Sequence, residues 1–136
     1  MAERITSPFD DAKARALVQA AEDLWNRRVA EEIPQDYTED TRWRYRDAFV
    51  EGRDAILPFL RERWPIQQGY KLRKELWSFG ANRISVRFVS EWRHRDTGQW
   101  YRTFGNEHWE FAPDGLQSVL DLSANDIEIS EGERTL

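Results

Sequence analysis

The sequence predicts an α+β domain in which helices pack on one face of a curved, mostly antiparallel sheet. Three observations lead there. The chain opens with a long amphipathic helical pattern, and its second half is a series of alternating segments separated by tight-turn signals. Of seven tryptophans, Trp43, Trp77, Trp92, Trp100 and Trp109 fall in segments that read as strand, and aromatic side chains dominate burial wherever they sit. A helical first half followed by long strands is the pattern of helices laid on a sheet.

The elements follow in order. Ser7 suits the cap of the first helix, with Pro8 at its first position and Asp10 three residues after the cap, as in a capping box. Asp11 adds negative charge to the first turn, where the helix dipole favours it. Leu17, Ala20, Ala21, Leu24 and Trp25 recur at helical spacing, and Arg27 and Arg28 suit the C-terminal end. Pro34 interrupts residues 29–40, which read as a turn or helical fragment. Thr41 to Asp47 reads as a strand, with Arg42, Arg44 and Arg46 on one face and Trp43 and Tyr45 on the other. Those arginines read as a solvated or interface face.

Ile56, Phe59, Leu60 and Trp64 then predict a helix over Gly52 to Trp64, bent or delayed by Pro58 and ended by Pro65. Four strands complete the chain: Tyr70 to Phe79, Asn82 to His94, Gln99 to Phe111 and Leu116 to Ile127. Gly80-Ala81, Asp96-Thr97-Gly98 and Pro113-Asp114-Gly115 are the hairpin signals between them. Residues 128–136 are polar and expected to fray or drape over the surface.

Composition narrows the function classes. At 136 residues, with 40% hydrophobic and 33% charged side chains and no internal repeat, residues 1–136 read as one domain. Without cysteine there is no disulfide, thiolate nucleophile, cysteine-ligated zinc or iron–sulfur cluster, and the default address is cytoplasmic. A formal charge of −5 argues against nucleic acid as a partner. No apolar run approaches the ~20 residues that a membrane helix needs, and no signal-peptide pattern opens the chain.

Strand parity selects the candidate interior. Ile84, Val86, Phe88, Ser90 and Trp92 share one face of their strand, opposite Arg83, Ser85, Arg87, Val89 and Glu91. On the next strand Tyr101, Thr103, Gly105, Glu107, Trp109 and Phe111 fall together; Leu72, Lys74 and Leu76 oppose Arg73, Glu75 and Trp77. One bulge would invert everything beyond it. Glu107 and Lys74 are therefore charges on apolar faces, which must pair, bind a ligand or shift their titration. A buried Lys–Glu bridge is the first reading; a carboxylate poised as general acid or base is the second.

The chain resembles the SnoaL-like branch of the nuclear transport factor 2-like superfamily. The resemblance is carried by Ala21 to Asn26, Tyr37 to Asp40 with Trp43-Arg44, Lys74 to Trp77, Asn82 to Ile84, Arg87-Phe88 and Glu91-Trp92. Gly98 to Trp100, Gly105 to Glu107, Trp109 to Phe111 and Asn125-Asp126 continue it. Within that branch it is similar to a bacterial and fungal group labelled as a domain of unknown function. The resemblance implies a cone-shaped α+β barrel, with three N-terminal helices over the concave face of a bent sheet. It also implies frequent dimerisation through the outer sheet face, in a fold shared by isomerases, dehydratases, hydrolases and cyclases and by non-catalytic transport factors. Fold alone does not select among these. Pro34, Pro58 and the tail depart from the usual pattern.

Two functional expectations stand side by side. In the first, a small apolar molecule binds an internal pocket walled by Trp43, Trp92 and Trp109. Any chemistry there is cofactor-free acid–base work, with Glu107 or Asp126 as base, Tyr45 as hydrogen-bond donor and Lys74 as electrostatic partner. In the second, the domain is a non-catalytic dimerisation or adaptor module with a packed interior. A cavity of ~300 Å³ or more favours the first; a filled core with Lys74 bridged to Glu107 favours the second. A homodimer is expected through the outward face bearing Glu75, Trp77, Arg87, Trp100 and His108. His94 and His108 lack metal-ligand spacing, so no metal is expected, and neither a phosphate-binding glycine loop nor a nucleophile elbow is present.

Overall fold

The computed structural model describes residues 4–136. Helix α1 spans Asp11–Arg27, and Asp10, not Ser7, is its cap, with the carboxylate accepting from the Lys13 amide at 2.8 Å. Asp10, expected as the capping-box partner of Ser7, is itself the cap, so the helix begins three residues later than expected. Ala14, Val18 and Trp25 form the buried stripe, flanked by the half-buried Leu17, Ala21 and Leu24; Ala20 is exposed. Arg28 ends the helix in the left-handed conformation at φ 56°.

Between α1 and the sheet the chain makes two single 3₁₀ turns, Ala30–Glu32 and Pro34–Asp36. The second of the three helices implied by the resemblance is thus absent, because Pro34 can open a turn but cannot continue a helix through its missing N–H. Strand β1 runs Tyr37–Tyr45, earlier than the sequence indicated, and turns through Arg46 at φ 61° into β2, Ala48–Glu51. That hairpin carries none of the usual Asn-Gly or Asp-Gly signals, and β2 was not anticipated. A 3₁₀ turn at Arg53–Ala55 leads into α2, Ile56–Arg63. Pro58 falls in its first turn, where a lost N–H costs no helical bond.

Strands β3 (Gln67–Phe79), β4 (Arg83–His94), β5 (Trp100–Phe111) and β6 (Gln117–Ile129) form the predicted meander. The sheet order is β2-β1-β6-β5-β4-β3, antiparallel throughout except for the parallel β1–β6 pair. The sheet is curved and unclosed, with α1 and α2 over its concave side. Between Lys71 and Leu76 the β3–β4 register is unbroken, and β4–β5 is regular from Arg83 to Arg93. The parity assigned from sequence therefore holds across the centre of the sheet.

Edge strand β3 is held to the helix by side chains. The Asn26 amide donates to the Leu72 carbonyl at 2.9 Å and accepts from the Leu72 N–H at 2.8 Å, and the Glu22 carboxylate accepts from the Lys74 N–H at 2.7 Å. Free backbone groups on a sheet edge invite pairing with other chains, and α1 consumes several of them. The tail is draped and anchored: Glu91, only 1% exposed, accepts from the Thr135 and Leu136 amides and pairs with Arg102 at 2.8 Å. Parity put Glu91 on the outer face; the tail is what buries it. No helix of the structure is long and apolar enough to cross a membrane.

Candidate functional site

The interior of the sheet converges on one ion pair. Lys74 on β3 and Glu107 on β5 project from opposite sides of Phe88 on β4 and bond through Nζ and Oε2, with side chains only 5% and 4% exposed. The other oxygen of Glu107 accepts from the Trp109 indole N–H at 3.0 Å. The ammonium also faces the rings of Phe88, Trp109 and Trp25 at 5.5, 5.6 and 5.8 Å, within cation–π range.

Around this pair lies a chamber lined by Trp25, Tyr45, Tyr70, Leu72, Lys74, Phe88, Glu107 and Leu122. Its free volume is about 10 Å³, room for about one water. The interior is filled and the pair is bridged. Gly105 belongs to the same packing: a Cβ there would meet the Phe88 ring at 2.0 Å, so only glycine lets that ring lie across β5.

Two tyrosines wall one side. Burial holds the Tyr45 hydroxyl above its ordinary titration, Arg63 offsetting part of this and Glu107 adding to it. Burial likewise pushes Tyr70 well up, with Tyr45 reinforcing and Arg28 opposing. Arg28 stacks on Tyr70 at 3.5 Å and on Trp64 at 4.4 Å, and donates to Gln67 at 2.8 Å. Arg63 lies over Tyr45 at 4.9 Å. Sequence reading noticed Arg28 only as a helix terminus and did not single out Arg63 at all. Neither residue carries a local motif; strands distant in sequence bring the tyrosines to them.

The remaining singled-out residues are distributed unevenly. Trp43 sits behind the lining, 6.4 Å from Tyr45 and 6.0 Å from Trp25 between ring centres. Trp92 stands apart, stacked on Tyr101 at 4.8 Å and donating to the Thr103 hydroxyl at 2.9 Å. Thr103 donates to Asp126 at 2.6 Å, and Asp126 takes a two-pronged bond from Arg46 at 2.7 and 2.8 Å. Burial raises Asp126, but the Arg46 and Thr103 bonds outweigh it and hold the carboxyl below its ordinary range. Asp126 pairs across β5 with Thr103, four residues from Glu107, or roughly 13 Å of strand. The two carboxylates do not share a site. Arg44 pairs with Asp121 at 2.6 Å, Arg46 turns to Asp126, and Arg42 is exposed. Among the described residues no three His, Asp or Glu side chains come together as metal ligands.

Comparison with solved structures sets this fold in a class. The chain is similar to an epoxide hydrolase/cyclase-like enzyme, SalBIII, described in pyran-ring formation in the polyether salinomycin (TM-score 0.73, 14% identity, 85% of this chain and 93% of that one). It is similar to a hexachlorocyclohexane dehydrochlorinase of type 2 (TM-score 0.67, 13% identity, 88% and 90%). A nuclear transport factor 2-like protein of unknown function from Burkholderia pseudomallei aligns with TM-score 0.72 and 16% identity over 82% and 90%. At these identities the likeness establishes the fold, which is nuclear transport factor 2-like of the SnoaL-like kind. The chain belongs to the family described as "Protein of unknown function (DUF1348)", which matches residues 7–136. No curated protein matches it.

Proposed function

We propose that this chain is a cytoplasmic, dimeric small-molecule-binding domain whose chamber performs cofactor-free acid–base chemistry at Glu107. The observation that carries this reading is the Lys74–Glu107 pair, nearly inaccessible inside an aromatic interior. A buried ion pair often adds nothing to stability compared with well-packed hydrocarbon. By the criterion stated above the filled core and the bridge point to the packed module; the chemical reading rests instead on a carboxylate and an ammonium standing where hydrocarbon would serve stability as well. Glu107 would take a proton from carbon beside a carbonyl, Lys74 and the Tyr45 hydroxyl would stabilise the oxygen that gains charge, and Glu107 would return the proton. Asp126, spent on Arg46 and Thr103, supports the wall instead. The small free volume requires a wall residue, Tyr70 in this proposal, to move when a ligand enters.

The test uses cyclohexanone and cyclohexene oxide as neutral probes, read by the indole N–H resonances of Trp109 and Trp25 and by deuterium exchange into the ketone. Saturable shifts, with exchange lost in Glu107→Gln, support the proposal. The filled interior favours a second reading, a non-catalytic module with a packed core, and the absence of any saturable shift with these probes and equally with carboxylate-bearing ones would establish that reading instead.

The dimer surface in this proposal is the outer sheet face, where Trp77 is 62%, Phe104 47% and Ile127 46% exposed. A groove of about 480 Å³ on this face is lined by Phe104 with Arg73, Glu75, Arg87 and Asn125. Arg87 stacks on Trp77 at 4.6 Å, whereas Trp100 is half-buried under Arg134. Light scattering that gives a monomer mass at micromolar concentration rules the dimer out.

A further inference from the structure

Arg28 and Arg63 are the charges in this interior that nothing neutralises. Among the described residues neither forms an ion pair, although eleven other arginines do. Among the described residues the sole hydrogen-bond partner of the Arg28 guanidinium is the neutral Gln67 amide. Arg63 Nε is buried without any partner. The two cations also feel each other: burial lowers Arg28, and Arg63 lowers it further. Asp126 is within electrostatic reach of Arg63, but both its oxygens are engaged by Arg46 and Thr103.

A buried charge costs free energy unless paired. Both side chains are half-buried, and leaving Arg63 Nε buried without an acceptor is a standing penalty that a binding partner would relieve. The position is specific. Arg28 stacks on the chamber wall at Tyr70 and also lines an open surface groove of about 380 Å³ with Trp64, Gln67 and the Arg61–Glu31 ion pair. Arg63 lies on the adjoining wall residue, Tyr45. Two guanidinium groups without a carboxylate partner are thus held on Tyr70 and Tyr45, residues that wall the chamber of Glu107.

Building on the acid–base chamber proposed above, we infer that its ligand carries a carboxylate. Arg28 and Arg63 bind that headgroup at the chamber entrance, leaving the apolar body among Trp25, Phe88 and Leu122. Planar guanidinium matches a carboxylate through paired N–H donors, which a ketone or amide oxygen cannot reproduce.

The experiment measures thermal shift and calorimetric binding for 3-phenylpropionate, 4-phenylbutyrate and cyclohexanecarboxylate, each beside its primary amide at matched ionic strength. Wild type, Arg28→Gln, Arg63→Gln and the exposed control Arg15→Gln are compared after circular dichroism shows that each folds. The expected result is binding of at least one acid, tenfold or more tighter than its amide. That preference falls to about threefold or less in Arg28→Gln and Arg63→Gln and is retained in Arg15→Gln. Acids and amides that bind equally well overturn the carboxylate inference while leaving a ligand-binding chamber standing. Acid binding that is unchanged in both arginine variants overturns it too, as a surface charge effect. If neither acid nor amide binds, both the inference and the chamber reading fail.

Discussion

Replacing Lys74 by methionine removes the charge opposite Glu107 while keeping an unbranched side chain of similar reach. Glu107 would be left at 4% side-chain exposure with the Trp109 indole as its remaining hydrogen-bond donor. Breaking one half of a buried pair costs about 3–5 kcal/mol, because the surviving charge stays desolvated. For a chain of this length 1 kcal/mol corresponds to about 3–4 °C, so Lys74→Met is expected to lower Tm by about 10–18 °C. Glu107→Gln should cost less. It keeps an acceptor for Trp109, and the stranded ammonium still faces three aromatic rings at 5.5 to 5.8 Å, worth about 0.5–2 kcal/mol. About 1–3 kcal/mol is expected.

The double variant Lys74→Met/Glu107→Gln should recover most of the loss and come within about 1 kcal/mol of wild type, since no unpaired charge then remains inside. Urea unfolding of all four proteins closes the cycle and isolates the pair's coupling. If Lys74→Met alone costs less than about 1 kcal/mol, the pair is solvated in solution. The claim of a dry, charged chamber is then wrong.

Other variants probe the surroundings. Gly105→Ala drives a methyl into the Phe88 ring, and thermal unfolding should show a loss of about 1–3 kcal/mol, partly rescued by Phe88→Leu. Asp126 sits below its ordinary range in the folded state, so it contributes stability that is present above the unfolded carboxyl value and lost as pH falls through the folded one. Between about pH 4 and pH 2 the stability of Asp126→Asn should therefore fall less steeply than that of wild type, measured by denaturation at each pH. Glu91 follows the same sign: burial raises it, but bonds from Leu136, Arg102 and Thr135 bring it down on balance. Amide exchange at Thr135 and Leu136 should accelerate as pH drops below the carboxylate range, corrected for intrinsic rates, and should already be fast in Glu91→Gln at neutral pH.

Much of the fold was legible because strand parity is a local, two-residue period. Phe88, Gly105, Glu107, Trp109, Leu72 and Lys74 all face inward as read, since the bulges at Gln68/Lys71 and Leu76/Ser78 spare the central pairs. What failed was set by non-local partners or by turn chemistry without a signature. The hairpin through Arg46 uses a left-handed arginine fixed by its bonds to Asp126, which lies eighty residues away. Glu91 looked solvent-facing because its ligands are the last amides of the chain. Volume was the least legible quantity: parity says which residues face one another, whereas Tyr70, Trp25 and Leu122 decide how little space remains between them.

The charge arrangement links the closed chamber to its entrance. Lys74 with Glu107 and Arg46 with Asp126 are each neutral pairs, so Arg28 and Arg63 leave two positive charges in excess on the chamber wall of a chain whose formal charge is −5. The same tyrosine faces that stabilise those guanidiniums in the free protein close the space over Glu107. An anion that draws Arg28 from Tyr70 would exchange a cation–π contact for a charge-assisted bond, and in the same movement would loosen the wall that limits the chamber to about one water. Recognition and opening are then one event, so ligands lacking the negative group should fail on entry rather than on fit. A chamber-opening substitution such as Tyr70→Ala should accordingly raise amide binding toward that of the matching acid, and calorimetry on that pair of probes would refute the coupling if the gap between them stayed unchanged.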